Sequence, residues 1–260
     1  MSAGIAGQRA AGGAFPFDCH VINLARTPER MATFLGQNSG SGLNFARFEA
    51  VDGNTLSEDE AIRIGLIKPR TKWRSKGTLG VAQSHRRLWE KAIAENRALI
   101  VFEDDAYIRD DFRQVFAAAI AGLADWDIVL CGYNTDALVE FNVAADFDMS
   151  SLFSVRYPSV EQLVRFVRSR GPVSLFRLRY AFGISGYAIS PAGAKKLLAR
   201  CFPMDNRLIE FKAAKNRFNA FSIDCMMNVF YRDLQAYVFV GPLVLPHNEV
   251  ATSTVDRGKR

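Results

Sequence analysis

At 260 residues, with 49% hydrophobic and 23% charged side chains, the chain has the composition of one large globular domain, not of a disordered or low-complexity segment. No apolar run approaches the roughly 18 residues that a bilayer-spanning helix needs. Cys19, Cys131, Cys201 and Cys225 are far apart and form no CxxC pair, which argues against a zinc site or disulfide framework and suits a reducing, cytoplasmic setting.

Residues 1–17 are rich in Gly and Ala, and they lack the continuous apolar core of a signal peptide. They read as a flexible leader. Residues 18–255 read as a single domain in which strand-like and helix-like segments alternate. That pattern predicts an α/β fold with a mostly parallel sheet between helices. A first strand is expected at 20–24, followed by a helix with Thr27 at its cap and Pro28 at its first position. Residues 45–51 read as a second strand closed by the turn Asp52-Gly53-Asn54. Ser57-Glu58-Asp59-Glu60 then has the spacing of a capping box.

A helix is expected at about 84–96, with Ser84 as its cap and His85 in its first turn. Residues 98–102 form a continuous apolar run, as in a strand buried on both faces. A helix at 111–123 and a strand at 127–130 follow. Residues 133–183 match no core pattern and read as a variable insertion riding on the domain. Order returns with a strand at 186–189, a helix opened by Ser190-Pro191, a helix at 224–230 and a strand at 236–240. A basic tail closes the sequence at 256–260.

The net charge of +6 is unevenly spread. Lys68, Arg70, Lys72, Arg74 and Lys76 occupy alternate positions, and six Arg face one Glu between Arg156 and Arg179. Such clusters attract phosphates, although a solvated basic face fits equally well. Between residues 160 and 182 the Arg side chains interleave with Leu163, Val164, Phe166 and Val167. This amphipathic pattern fits either peripheral contact with an anionic membrane or packing on the core with the Arg side outward.

The most informative motif is Glu103-Asp104-Asp105 at the end of the apolar strand. Adjacent carboxylates repel one another, and a divalent cation relieves that repulsion. Strand alternation would let Glu103 and Asp105 share one ligand while Asp104 turns away. Ligands of open α/β sheets bind at the carboxyl ends of strands, and a metal there can clamp a diphosphate leaving group. Oxygen ligands suit Mn²⁺ or Mg²⁺. A solvated polar turn is the plain alternative.

The neighbours of this motif resemble glycosyltransferase family 25, which includes bacterial lipooligosaccharide galactosyltransferases. The matching blocks are Val21-Ile22-Asn23-Leu24 with Arg26 and Arg30, Phe48-Glu49-Ala50-Val51-Asp52-Gly53, Gly80 with Ser84-His85, and Ile100 through Asp105. Trp126-Asp127-Ile128, Gly186 through Ser190, Ile223-Asp224 and Pro242-Leu243-Val244 with Ser253 follow in family order. Val81 departs from the family's usual Cys. The resemblance implies a GT-A type fold, with a Rossmann-like mixed sheet flanked by helices. It also implies a UDP-sugar donor, most often UDP-galactose, and metal-dependent inverting transfer to a glycan such as lipopolysaccharide or lipooligosaccharide.

Carried onto these residues, the resemblance makes Asp224 the expected catalytic base, with Glu210 in reserve. Asn23, Leu24, Arg30, Asp52 and Asp104 are the expected nucleotide-binding residues. Glu103, Asp105 and His247 are the expected metal ligands. The bland alternatives are a surface Arg30, a simple turn at Asp52-Gly53, a core His85, and an Asp224 favoured by its helix dipole. A metal-dependent phosphohydrolase or nucleotidyltransferase is the competing enzyme class. A nucleic-acid-binding protein ranks last, because no recognition motif accompanies the basic clusters and no nucleic-acid partner is expected.

Overall fold

The computed structural model describes residues 15–73, 75–211 and 216–247. The leader before residue 15, Arg74, Ser253 and the basic tail lie outside them. The chain opens with β1 (Asp18–Asn23), α1 (Pro28–Gln37), β2 (Phe45–Glu49), α2 (Glu58–Arg63) and α3 (Lys76–Ala94). It continues with β3 (Leu99–Glu103), β4 (Ala106–Ile108), α4 (Phe112–Ala121), β5 (Ile128–Gly132), β6 (Val139–Ala144), β7 (Phe147–Ser151) and α5 (Val160–Val167). Next come β8 (Ser174–Tyr180), β9 (Gly186–Ile189), α6 (Pro191–Cys201), β10 (Leu208–Phe211) and β11 (Asn216–Asn219). The last described elements are α7 (Ile223–Asn228), β12 (Ala236–Val240) and β13 (Val244–Pro246).

The main sheet runs β2-β1-β3-β9-β5-β12-β8-β6-β7, with β13 attached to β5 and β4. Of its six central strands, β9 alone is reversed, running antiparallel between β3 and β5. The others share one direction through the parallel pairs of β1 with β2 and β3, and of β5 with β12. The fold is therefore α/β around a mixed sheet flanked by helices.

The buried run of β3 shows why this sequence makes a central strand. Leu99 and Val101 join the core on one face with Leu88, Trp89 and Leu197, from α3 and α6. Ile100 and Phe102 join the other with Phe34 of α1 and Phe112 and Phe116 of α4. Alternation on the strand thus fills both layers. Each such fully buried side chain contributes about 1.5–3 kcal/mol.

Three expectations need correction. Helix α3 begins at Lys76, capped by the Ser75 hydroxyl, so Ser84 is not its cap. Ser84 lies inside the helix, where its hydroxyl donates to Gly80 O at 2.7 Å and accepts from Val51 N at 2.9 Å. Thr27 does stand at the start of α1, but its side chain makes no cap bond. Finally, residues 133–183 are built into the core. Strand β8 pairs with β12, and β6 and β7 continue the sheet, while Phe141 and Leu178 are fully buried. Helix α5 packs Leu163 and Val167 against Tyr107 and Leu245, while Val160 and Val164 stay exposed.

All four cysteines are free thiols, and burial holds the Cys19 and Cys225 thiols up at about 12. No helix among the described residues is long and apolar enough to cross a membrane.

Candidate functional site

Strands β1 and β3 are parallel neighbours in register, with Ile22 opposite Glu103, so the segments that follow them emerge side by side. Over these carboxyl ends opens a cleft of about 1170 Å³, the position where open α/β sheets bind ligands. Leu24, Arg30, Asp52, the three acids, Asp224 and His247 all line it. Residues more than two hundred positions apart in sequence therefore meet in one cavity.

The acids form its floor. Strand β3 ends at Glu103, so strand alternation does not continue through Asp104 and Asp105, and all three face the cleft. Asp104 is already engaged by the protein. Asn23 Nδ2 donates to one of its oxygens at 2.7 Å, and the Arg30 guanidinium pairs with the other. Asn23 is in turn oriented by Arg47 Nε, which donates to its Oδ1 at 2.9 Å. Asn23, expected at the nucleotide, is buried behind the cleft wall and positions Asp104. Arg47 had no sequence signal, since its partner lies on the neighbouring strand.

Glu103 is held well above the usual carboxylate range. Burial is the main cause, and the negative charges of Asp105, Asp224 and Asp104 add to it. That influence places Asp224 within electrostatic reach of the acid cluster.

A second wall is formed by Asp52 and the short turn after it. Asp52 accepts from Asn54 N at 3.0 Å and pairs with Arg26 at 2.9 Å, and these bonds lower its pKa. The turn sits backbone to backbone on α3. A Cβ on Gly53 would lie 1.8 Å from Lys76 O, and one on Gly80 would lie 2.4 Å from Val51 O. Glycine is required at both places because no side chain fits between the two backbones.

Asp224 stands in the first turn of α7. Its Oδ2 accepts from Gly183 N at 3.0 Å, and the Ser222 hydroxyl donates to Oδ1. Each oxygen keeps a further lone pair. Glu210, by contrast, is exposed on β10, paired with Arg217 at 2.8 Å and outside the cleft, so it does not serve as the reserve base. Trp73, Asn134, Asp136, Tyr157 and Phe221 also line the cavity, although no periodicity or motif marked these loop residues in the sequence.

His85 is fully buried, and burial lowers its pKa to about 3, so the ring is neutral. Its Nδ1 lies 2.8 Å from the Tyr187 hydroxyl, which also receives Trp89 Nε1–H at 2.9 Å. The core role set out for His85 is therefore realised, although its ring also reaches the cleft wall.

The expected metal ligands lie along one cleft without forming a closed cage. His247 is held by its backbone N–H, which donates to Asp105 O at 3.0 Å, while its ring meets Tyr107 edge-on at 6.0 Å. Among the described residues no group of three or more His, Cys, Asp or Glu side chains is arranged to hold an ion. Magnesium-like ions, however, usually take one or two carboxylates and complete their shell with substrate phosphates and water. The crowded oxygens of Glu103 and Asp105 fit that mode of binding.

Known proteins identify the family of the chain. The family described as Glycosyltransferase family 25 (LPS biosynthesis protein) matches residues 17–209. A rat protein named "Probable inactive glycosyltransferase 25 family member 3" is 28% identical over 207 residues, covering 72% of this chain and 32% of its own length. A mosquito protein from Aedes aegypti, "Glycosyltransferase 25 family member", is 29% identical over 194 residues, covering 69% of this chain and 27% of its own length. The chain spans about a third of the length of the curated relatives it matches.

Proposed function

Because the chain belongs to glycosyltransferase family 25, we propose that it moves a hexose, galactose first, from a UDP-sugar to a hydroxyl of a glycan such as lipopolysaccharide or lipooligosaccharide. The observation that carries this reading is the meeting of the Glu103-Asp104-Asp105 turn and Asp224 in one cleft of about 1170 Å³. That volume lies just above the roughly 300–1,000 Å³ of a single small-molecule pocket and leaves room for a donor and an acceptor together. The arrangement is compatible with a GT-A type enzyme.

In this reading the acceptor hydroxyl gives its proton to Asp224 as its oxygen attacks C1 of the donor sugar. The bond from C1 to the β-phosphate oxygen breaks, UDP departs, and the configuration at C1 inverts. Asp224 is held for this role by Gly183 N–H and the Ser222 hydroxyl, which fix the carboxylate without consuming its remaining lone pairs. Arg30, braced by Asp104, supplies positive charge at the cleft wall near the diphosphate. Asp105 and Glu103 would hold Mn²⁺ or Mg²⁺, which stabilises charge on the departing diphosphate when bound.

The test is UDP release by the full chain with Mn²⁺ and a panel of UDP-sugars, each with and without candidate glycans. Acceptor-dependent release that disappears in Asp105→Ala, with the melting temperature preserved, is the expected result. Release of phosphate or pyrophosphate in place of UDP would favour the phosphohydrolase or nucleotidyltransferase. A second reading, a member that binds but does not transfer, is favoured by the word "inactive" in the names of mammalian relatives. UDP binding without release under any acceptor would support it.

A further inference from the structure

Exposed apolar side chains scattered singly are ordinary, but aromatic rings exposed at the wall of a ligand cleft can serve as contact surfaces for a substrate. Twelve large apolar side chains are exposed among the described residues, and two of them, Tyr157 and Phe221, also line the cleft. Tyr157 is 59% exposed and Phe221 40%. Neither belongs to a helix or strand.

Phe221 lies three residues before Asp224, and Tyr157 lines the same cleft on a loop tied to it through intervening contacts. Phe221 directly precedes Ser222, whose hydroxyl donates to Asp224. On the other side, Asp224 accepts from Gly183 N at 3.0 Å. Gly183 lies against Asn134, where a Cβ would sit 2.1 Å from the Asn134 amide oxygen, and its φ of +82° also favours glycine. The adjacent Thr135 hydroxyl donates to Arg156 O at 2.6 Å, and the Tyr157 hydroxyl donates to Asp136 Oδ2 at 3.2 Å. Four loops are thus fastened into a rim that carries two exposed rings, the Asp136 carboxylate and the Asn134 amide.

This combination has a specific chemistry. Pyranose rings present apolar C–H faces and a belt of hydroxyls, so they pack on aromatic faces while carboxylates and amides accept or donate at the belt. Nucleotide phosphates, by contrast, are held best by clustered cations, whereas these four side chains on the cleft wall are two rings, one carboxylate and one amide. We propose that Tyr157 and Phe221 form the subsite for a neutral sugar ring of the acceptor, with Asp136 and Asn134 reading its hydroxyls. The subsite rests on the glycosyl-transfer reading above and specifies its acceptor side: a neutral sugar terminus is held beside Asp224, not a phosphorylated group.

Saturation-transfer NMR on the full chain tests this, with lactose, maltose and chitobiose as probes in the presence of UDP. At least one disaccharide should receive saturation from the wild type. The signal should weaken roughly tenfold in a Tyr157→Ala, Phe221→Ala double variant. The ring-preserving Tyr157→Trp and Phe221→Tyr changes should retain it. Because both side chains are exposed, unchanged melting temperatures verify folding, and the single alanine variants are measured alongside. Equal saturation in the double variant, or none in the wild type with all three sugars, overturns the subsite. UDP affinity of the wild type, read by calorimetry, reports separately on the donor side. Ring-dependent disaccharide binding without UDP binding would support the subsite and count against nucleotide-sugar transfer.

Discussion

Removing a single oxygen, in Tyr187→Phe, should be costly. Trp89 Nε1–H can only donate, so its bond at 2.9 Å uses the Tyr187 oxygen as acceptor. The Tyr187 hydrogen is then free to donate to His85 Nδ1 at 2.8 Å, which satisfies the three atoms that meet there and leaves the neutral imidazole proton on Nε2, a buried atom without a hydrogen-bond partner among the described residues. All three side chains are fully buried. Phenylalanine would strand one donor and one acceptor in the core, each at about 1–3 kcal/mol. The total is roughly 2–5 kcal/mol, or a fall in melting temperature of roughly 5–15 °C for a domain of this size. Tyr231→Phe is the matched control. Its hydroxyl is equally buried but has no hydrogen-bond partner among the described residues, so its loss should be neutral or mildly stabilising. Differential scanning fluorimetry and urea melts on both variants measure the contrast. Equal shifts for the two would refute the assignment of a satisfied triad and show that ring packing alone decides stability here.

Three other outcomes are expected. Asp224→Asn keeps an acceptor for Gly183 N–H but loses the base, so acceptor-dependent UDP release should fall by about 10²–10⁴ while the melting temperature changes little. Gly80→Ala gains helix propensity, yet its Cβ would press on the backbone at Val51 and Gly53, giving a net loss of about 1–3 kcal/mol in urea melts. The third concerns pH. His85 has a folded pKa of about 3, so between pH 6.5 and 3 the unfolded chain binds a proton that the native ring refuses. Stability from this residue is therefore complete above pH 6.5 and is lost as pH falls, by roughly 1.4 kcal/mol at pH 5.5. His85→Gln should flatten that part of the stability curve, and an unchanged slope would count against the buried neutral ring.

Local signals served best where local physics decides. The Ser190-Pro191 start of α6, the apolar run of β3 and the bounds of β9 and β12 all follow from caps and hydrophobicity, and the structure contains them. The acid triplet was also visible, because carboxylates at a strand end are conspicuous, whereas Asp224 stood out only through the family resemblance. What escaped depends on contacts far apart in sequence. The first turns of α3 contain Gly77 and Gly80, poor helix formers, and at Gly80 the reason is the backbone of Val51 and Gly53 pressed against it. The role of Asn23 depends on Asp104 and Arg47, which reach it from adjacent strands. Strand β7 is almost wholly exposed, so it carries no hydrophobic alternation to read. The aromatic rim of the cleft lies on loops, where periodicity says nothing.

Strand β13 has a consequence for synthesis. It pairs antiparallel with β4, from Val244 opposite Ile108 to Pro246 opposite Ala106, and the next residue's N–H closes onto Asp105 O. The acidic turn is thus clasped by residues translated some 140 positions later. On a ribosome, the nascent β1–β3 layer can begin to pack early, but this clasp has to wait until residue 247 clears the exit tunnel. Chains stalled before that point would hold a largely formed sheet with its acidic turn unfastened, and quality-control proteases would meet them in that state.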